Sequence, residues 1–399
     1  MEGNTAWMLM STALVVFMVP GLALFYGGMT RSKNVLNMLN MNMYCLGIVP
    51  LMWVLFTYSL GNSSGDPSSG LSREELIGNF DAVGLDNITG TDLIPVVFFM
   101  TFAAITPALI SGAVADRMKF SAWVLFVPLW SLMVYTPVTY WVYSGWHLDL
   151  DPEAIDFAGG TAIHINAGVA ALVLVLVLGR RAGWPREPMP PHNMPLVMLG
   201  TGILWFGWFG FNAGSAGAAD GVAVQALLNT FVAAAAGMLS WLAVEKLRDG
   251  QATTLGAASG IVAALVAITP AAGYVGSMSS IVFGLVAGVV CYFAIQLKFR
   301  LGYDDSLDVV GIHGVGGLVG GVLLGFLANA DVNGVDGVFF GDSGLLASQL
   351  IAMGSVVLFS GVVTFVIAKG LDLVIGLRVD EESEAIGLDQ SLHAETAYQ

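Results

Sequence analysis

Two histidines, His164 and His313, lie inside long apolar stretches. Each follows an aspartate, in Asp156-Phe-Ala-Gly-Gly-Thr-Ala-Ile-His164 and Asp308-Val-Val-Gly-Ile-His313. A neutral imidazole donates one hydrogen bond, accepts another, and titrates near physiological pH. An ionisable side chain at membrane depth is costly, so it faces a bundle interior or a pathway and takes a partner there. Here each histidine is the natural partner of the other. Two imidazoles in an apolar conduit suit proton or ammonia chemistry better than passage of a bulky solute. The structural alternative is two core histidines, each bonded to a nearby backbone carbonyl.

The elements that must hold these histidines are membrane spans. Of the 399 residues, 56% are hydrophobic and 11% charged, against roughly 25% charged in a soluble domain. Mean hydropathy is +0.78. The composition is that of a polytopic membrane protein, and 50 glycines agree with it, because small residues let membrane helices approach closely. Cys45 and Cys291 both sit in apolar runs, which implies neither a disulfide framework nor a thiolate metal site. Met1-Glu-Gly-Asn-Thr carries no basic residue before its apolar run, so it reads as a first membrane helix and not as a signal peptide.

Apolar runs of about 20 residues mark spans. They fall near 5–26, 38–60, 93–115, 121–143, 158–179, 194–212, 222–245, 253–271, 276–298, 309–329 and 346–376, which makes eleven. The basic residues follow the odd-numbered spans: Arg31 and Lys33, Arg117 and Lys119, Arg180, Arg181 and Arg186, Lys246 and Arg248, Lys298 and Arg300, Lys369 and Arg378. Only Arg73, in the long loop after the second span, breaks the pattern. The basic side is cytoplasmic, which places the N-terminus outside and the C-terminus inside. Fifteen of the 29 acidic residues fall on the outer side, and such a surface concentrates cations; solubility or salt adaptation would account for it equally.

The histidine-bearing spans are the fifth and the tenth. Five helices per half is an odd number, so halves at about 5–179 and 194–329 would be inverted repeats, which place a transport site near the midplane between them. Asp156 and Asp308 would then start equivalent helices from opposite faces, either as N-caps or as functional carboxylates. The eleventh span lies outside the repeat as a brace. Residues 1–376 thus form the transmembrane domain and 377–399 a polar, acidic cytoplasmic tail. Gly317, Gly321 and Gly325, Gly284 with Gly288, and Gly256 with Gly260 form small-residue faces. The loop at 61–92, rich in Ser, Gly, Asn and Asp, reads as an extracellular excursion.

Four segments carry a family resemblance: Asp156-Phe-Ala-Gly-Gly-Thr-Ala-Ile-His-Ile-Asn166, Gly207-Trp-Phe-Gly-Phe-Asn-Ala-Gly-Ser215, Ala113-Val-Ala-Asp-Arg-Met-Lys-Phe120 and Asp304-Asp-Ser-Leu-Asp-Val-Val-Gly-Ile-His-Gly314. With them the chain resembles the ammonium transporters of the Amt/Mep/Rh superfamily, in the prokaryotic Amt branch, from the first span to Gly387-Leu388-Asp389 in the tail. The resemblance implies an eleven-helix all-α bundle in the cytoplasmic membrane, assembled as a homotrimer with one pore per subunit. His164 and His313 resemble the family's twin pore histidines, and Phe102 and Phe211 the stacked gate at its outer mouth. Ser215 resembles the serine that binds ammonium in the outer vestibule, with Asp156 beneath it. A PII-type nitrogen-signalling partner would contact the loops near Arg180–His192, the tail and the inner face. Where many members have Trp-Val-Trp-Gly-Gly, this chain reads Trp141-Val-Tyr143-Ser-Gly145-Trp146. Tyr143 would supply a weaker aromatic wall, with Trp146 as the other candidate. Phe99 stands where some members carry a polar residue.

The residues support that chemistry on their own terms. Potassium matches ammonium in size and charge, but only ammonium donates hydrogen bonds and loses a proton. Aromatic faces with Ser215 as acceptor would favour ammonium, and an apolar pore disfavours any bare ion while passing ammonia. A bis-histidine haem carrier is the rival from another class, and no Cys-x-x-Cys-His occurs to support it. An Rh-type gas channel fits the motifs less well. An ammonium sensor of the same fold that conducts poorly is the alternative reading, and its signalling would run through a partner. No nucleophile–base set, nucleotide loop or metal cluster appears, so no enzyme, cofactor, metal or nucleic-acid partner is expected. His147, His192 and His393 fall in loops or the tail and are expected to matter far less.

Overall fold

The computed structural model describes residues 2–62 and 76–398. Arg73 and the middle of the 61–92 loop lie outside the described residues. Ten helices are long and apolar enough to cross a membrane: α1 (Glu2–Met29), α2 (Val35–Asn62), α3 (Gly90–Ser111), α4 (Phe120–Tyr143), α5 (Gly160–Leu178), α6 (Met194–Gly214), α7 (Gly221–Asp249), α9 (Ser277–Leu301), α10 (Val310–Leu327) and α11 (Gly344–Ile375). Between α7 and α9 runs α8 (Thr254–Ile268), apolar but only 15 residues long. It stops short of the expected 253–271 because Pro270 cannot continue a helix and turns follow it. Among the described residues the only extended pairing is a bridge between Met118 and Arg378. The protein is an all-helical, multi-pass membrane protein.

Helices satisfy every backbone polar group within one segment, which hydrocarbon demands. Their ends are closed by side chains. Asp220 accepts from Ala223 N at the start of α7, and Thr253 accepts from Gly256 N at the start of α8. At the far end of α7, Lys246 and Arg248 face the helix's negative pole before left-handed Gly250.

α1 lies against α6 along much of its length, and α5 meets α10. At the second crossing the backbones touch: a Cβ on Gly168 would come within 2.3 Å of Gly314 Cα. The expected small-residue faces serve similar contacts, since a Cβ on Gly284 would lie 2.2 Å from Ala233 O on α7. Outside this set, α11 packs on α5 and α4.

The tail is not a loose end. It forms α12 (Glu381–Ile386) and α13 (Leu388–His393), docked where α1 joins α2 and where α5 joins α6. Leu388 is fully buried, its N–H donates to Asn34, and Asp389 accepts from Asn37 N. Glu384 takes Ala182 N and the Arg378 guanidinium. Gly387, at φ +115°, lies so near Lys33 that a Cβ would meet it at 2.6 Å. Sequence polarity alone had hidden this docking, because the partners of Glu384, Leu388 and Asp389 include groups far away in the chain, at Ala182, Asn34 and Asn37.

Candidate functional site

An open cavity of about 400 Å³ lies at the ends of α3, α4 and α6, lined among others by Phe99, Tyr143, Glu153, Asp156, Ser215 and Asp220. The aromatic side chains and Ser215 arrive by helical periodicity. Phe99 and Phe102 are one turn apart on α3; Trp208, Phe211 and Ser215 repeat at i, i+3 and i+7 along one face of α6 and its cap. The Ser215 hydroxyl donates to Phe211 O at 2.8 Å, which leaves its oxygen lone pairs unused by that bond. The Tyr143 ring lies 5.4 Å from Phe99. Trp146, the other candidate, instead lines a separate apolar cavity of about 760 Å³ with Trp141, Leu358 and Phe359.

Asp156 sits in the loop before α5. Its carboxylate accepts from Gly159 N at 3.1 Å and from Thr161 N and Ala162 N at 2.9 Å. Burial pushes its pKa up to about 6, with the backbone N–H groups opposing that rise. At the start of α10 the carboxylate that takes a main-chain N–H is Asp305 and not the expected Asp308. Asp305 accepts from Val310 N at 2.7 Å and precedes His313 by eight residues, as Asp156 precedes His164. Asp308, at φ +65°, turns away to pair with Lys298 at 2.5 Å. The spacing of eight was present in the sequence; the nearer aspartate masked it. Burial also raises the Asp305 pKa to about 6.

Beneath the cavity, Phe102 and Phe211 stack with centroids 4.3 Å apart and planes 17° from parallel. Both are buried. Below them an enclosed slot of only about 10 Å³ is lined by His164, His313, Trp208 and apolar side chains such as Ile105, Leu109 and Val262. The histidines are 2% and 3% exposed. Their Nδ1 atoms are 3.1 Å apart and their rings 14° from parallel. Each is carried on a wide π-type turn opening its helix, a distortion common at functional sites. Trp208, which sequence reasoning passed over, stacks on His164 at 5.4 Å and 15° and donates through Nε1 to Thr269. Its place in the i, i+3, i+7 series with Phe211 and Ser215 was the available signal. Two neutral imidazoles joined Nδ1 to Nδ1 share one proton there, so one Nε2 carries hydrogen and the other a lone pair.

On the side of the docked tail, Arg181 grips Asp304 with two nitrogens, at 2.9 and 2.8 Å, and Asp116 takes Arg31 and Asn34. Arg117 is fully buried and donates to Gly179 O, Asp304 O and Ser306. Burial lowers its pKa to about 10. Arg31, Arg117 and Arg181 entered the sequence reading as markers of orientation, and Asp116, Arg117 and Asp304 within family motifs, without foreshadowing this network. The remaining histidines are all engaged: His147 with Ser355, His192 with Thr30 O and Tyr398, and His393 with Asn37. His147 is 1% exposed despite its loop position, and burial lowers its pKa to about 4.

Comparison with known proteins agrees over the whole chain. Residues 6–398 match the family model described as Ammonium Transporter Family. The ammonium transporter of Mycobacterium tuberculosis is 51% identical over 99% of this chain and 90% of its own, and that of Aquifex aeolicus 50% identical over 99% and 93%. Among solved structures, Saccharomyces cerevisiae Mep2 superposes with a TM-score of 0.88 at 34% identity, covering 96% of this chain and 88% of that one. A protein described as Sensor Amt Protein superposes at 0.90 with 25% identity, covering 98% of each.

Proposed function

The chain belongs to the ammonium transporter family, and on that premise we propose that it recruits ammonium in the outer cavity and conducts ammonia past the paired histidines. Asp156, Glu153 and Asp220 give the cavity a negative lining. Ser215 offers lone pairs to an N–H donor, and Tyr143 and Phe99 offer ring faces. Potassium gains only the charge term. Below Phe102 and Phe211 an ion would lose hydration with no charge to replace it, so ammonium gives up its proton in the cavity, to water or to the Asp156 carboxylate, before crossing. Ammonia both donates and accepts, and the pair presents one Nε2–H and one Nε2 lone pair. Charge moves only if the separated proton follows.

The observation that carries this reading is the 3.1 Å Nδ1–Nδ1 contact directly beneath the stacked phenylalanines. Proteoliposomes given ammonium or potassium jumps test it, with current and internal pH recorded together. The wild type responds to ammonium alone; His164→Ala and His313→Ala lose that response or admit potassium while remaining folded. A double substitution with unchanged rate and selectivity would overturn the reading. The same records decide the alternative of a sensor that barely conducts, which the small slot and the likeness to the sensor protein keep in view.

The same proposal includes the architecture: eleven spans with α8 as the eighth, inverted halves at about 5–179 and 194–329, N-terminus outside and tail 377–399 inside the cytoplasmic membrane. It is supported by the like-with-like pairing of α1 with α6 and α5 with α10, and by carboxylates at equal distance before both histidines. A homotrimer and a PII-type partner at the Arg180–His192 loops and the docked tail complete it.

A further inference from the structure

We infer that Gln349, on α11, is a positioning residue for the vestibule, holding Asp156 at its base. This rests on the function proposed above. The loop between α4 and α5 has little regular structure, so its buried main-chain groups need partners from elsewhere. Gln349 is 1% exposed. Its Oε1 accepts from Ile155 N at 2.7 Å, and its Nε2 donates to Ile155 O at 2.8 Å. One side chain thus takes both backbone groups of the residue before Asp156. On the other side, Phe157 N donates to Pro270 O at 3.1 Å, just beyond α8. The aspartate is pinned between these anchors while its carboxylate caps the first turn of α5.

α11 makes two more bonds to the same loop, Ser348 to Pro152 O and Ser355 to His147. They lie farther along the chain from Asp156. The helix that looked like an external brace therefore reaches the substrate cavity through one amide. Losing it frees Ile155 N–H and C=O in a buried site. The loop then shifts to find partners and carries the carboxylate with it.

Two measurements on the full-length protein test this, each with its own readout. The first is hydrogen exchange of the peptide spanning 157–165, which reports whether Asp156 still caps the Thr161 and Ala162 amides without requiring transport. Gln349→Leu should exchange there about tenfold faster, Gln349→Glu, which keeps the acceptor, should fall between, and Ser355→Ala should match wild type. The second is the half-saturating ammonium concentration in proteoliposomes. It should rise about tenfold in Gln349→Leu, the scale expected when a binding group is displaced by a fraction of an ångström, and less than about twofold in Ser355→Ala. Thermal unfolding identifies any variant that has simply lost its fold, and Gln349→Glu then carries the test. Unchanged exchange in both Gln349 variants, or an equal response in Ser355→Ala, overturns the assignment. Faster exchange with unaltered half-saturation overturns its role in recruitment. A wild type with no ammonium response, alongside accelerated exchange in Gln349→Leu, sinks the proposed function and leaves the positioning of Asp156 standing.

Discussion

At Asp156 two opposing effects set one ionisation. Burial disfavours the carboxylate, three or four backbone N–H groups favour it, and the balance lies at about 6. The sign follows directly: the group is charged above that pH and neutral below it. If its charge draws ammonium into the cavity, half-saturation should worsen as the outer pH falls through about 6. Asp156→Asn should lack that acid limb, show low transport at every pH and lose some stability, because both carboxylate oxygens accept main-chain N–H bonds and an amide must turn its NH2 toward one set of them. Asp156→Ala should lose both cap and charge, about 1 kcal/mol for the cap alone. Currents between pH 5 and 8, with thermal unfolding alongside, separate the cases; a fully active Asn variant leaves only the capping role. His164 and His313 were legible as site candidates because ionisable groups in apolar runs carry their own cost, whereas Phe102, Phe211 and Ser215 came only from the family resemblance. Tyr143 against Trp146 was not legible, since three residues of loop decide which ring faces the cavity. Asp305 was hidden by a nearer aspartate.

Element boundaries were read well where apolar runs end in charges. The expected 121–143, 158–179 and 346–376 became Phe120–Tyr143, Gly160–Leu178 and Gly344–Ile375. The wide turns under both histidines left no trace, because the same residues suit an ordinary α-helix. The packing of α5 on α10 depends on backbone contact at Gly168 and Gly314. Gly168→Val would drive a branched side chain into Gly314, whose Cα lies 2.3 Å from where its Cβ must sit. Overpacking of this kind costs about 1–3 kcal/mol, and α5 and α10 would part enough to break the Nδ1–Nδ1 contact. The expected result is a lowered unfolding temperature and loss of ammonium selectivity. Gly202→Ala on α6, where nothing lies within 4 Å, is the control and should change neither. Normal transport in Gly168→Val would mean that the histidines do not depend on this crossing.

For the whole molecule, the proposed sidedness rests on charge, and the proposed inversion of the halves on an odd number of helices in each. Thirteen of the 14 basic residues fall in connections assigned to one side, and such asymmetry orients membrane proteins with the basic side in the cytoplasm. Separately, two five-helix halves can pair α1 with α6 and α5 with α10 as inverted equivalents only if each half crosses an odd number of times. α8 is decisive for the count, because its 15 residues span about 22 Å, short of a bilayer core of about 30 Å. Turns through Gly273 extend it. If α8 crosses, Asn87 and Asp336 face outward while Arg186 and Glu395 face the cytoplasm. If it does not, everything before it keeps its side and everything after it reverses. Cys45 and Cys291 are fully buried, so single cysteines introduced at those four positions can be read against a quiet background. In intact cells a membrane-impermeant maleimide should label Asn87→Cys and Asp336→Cys and spare Arg186→Cys and Glu395→Cys until the membrane is opened. Labelling of Glu395→Cys with protection of Asp336→Cys would show that α8 turns back within the membrane, and the inverted repeat would fall with it.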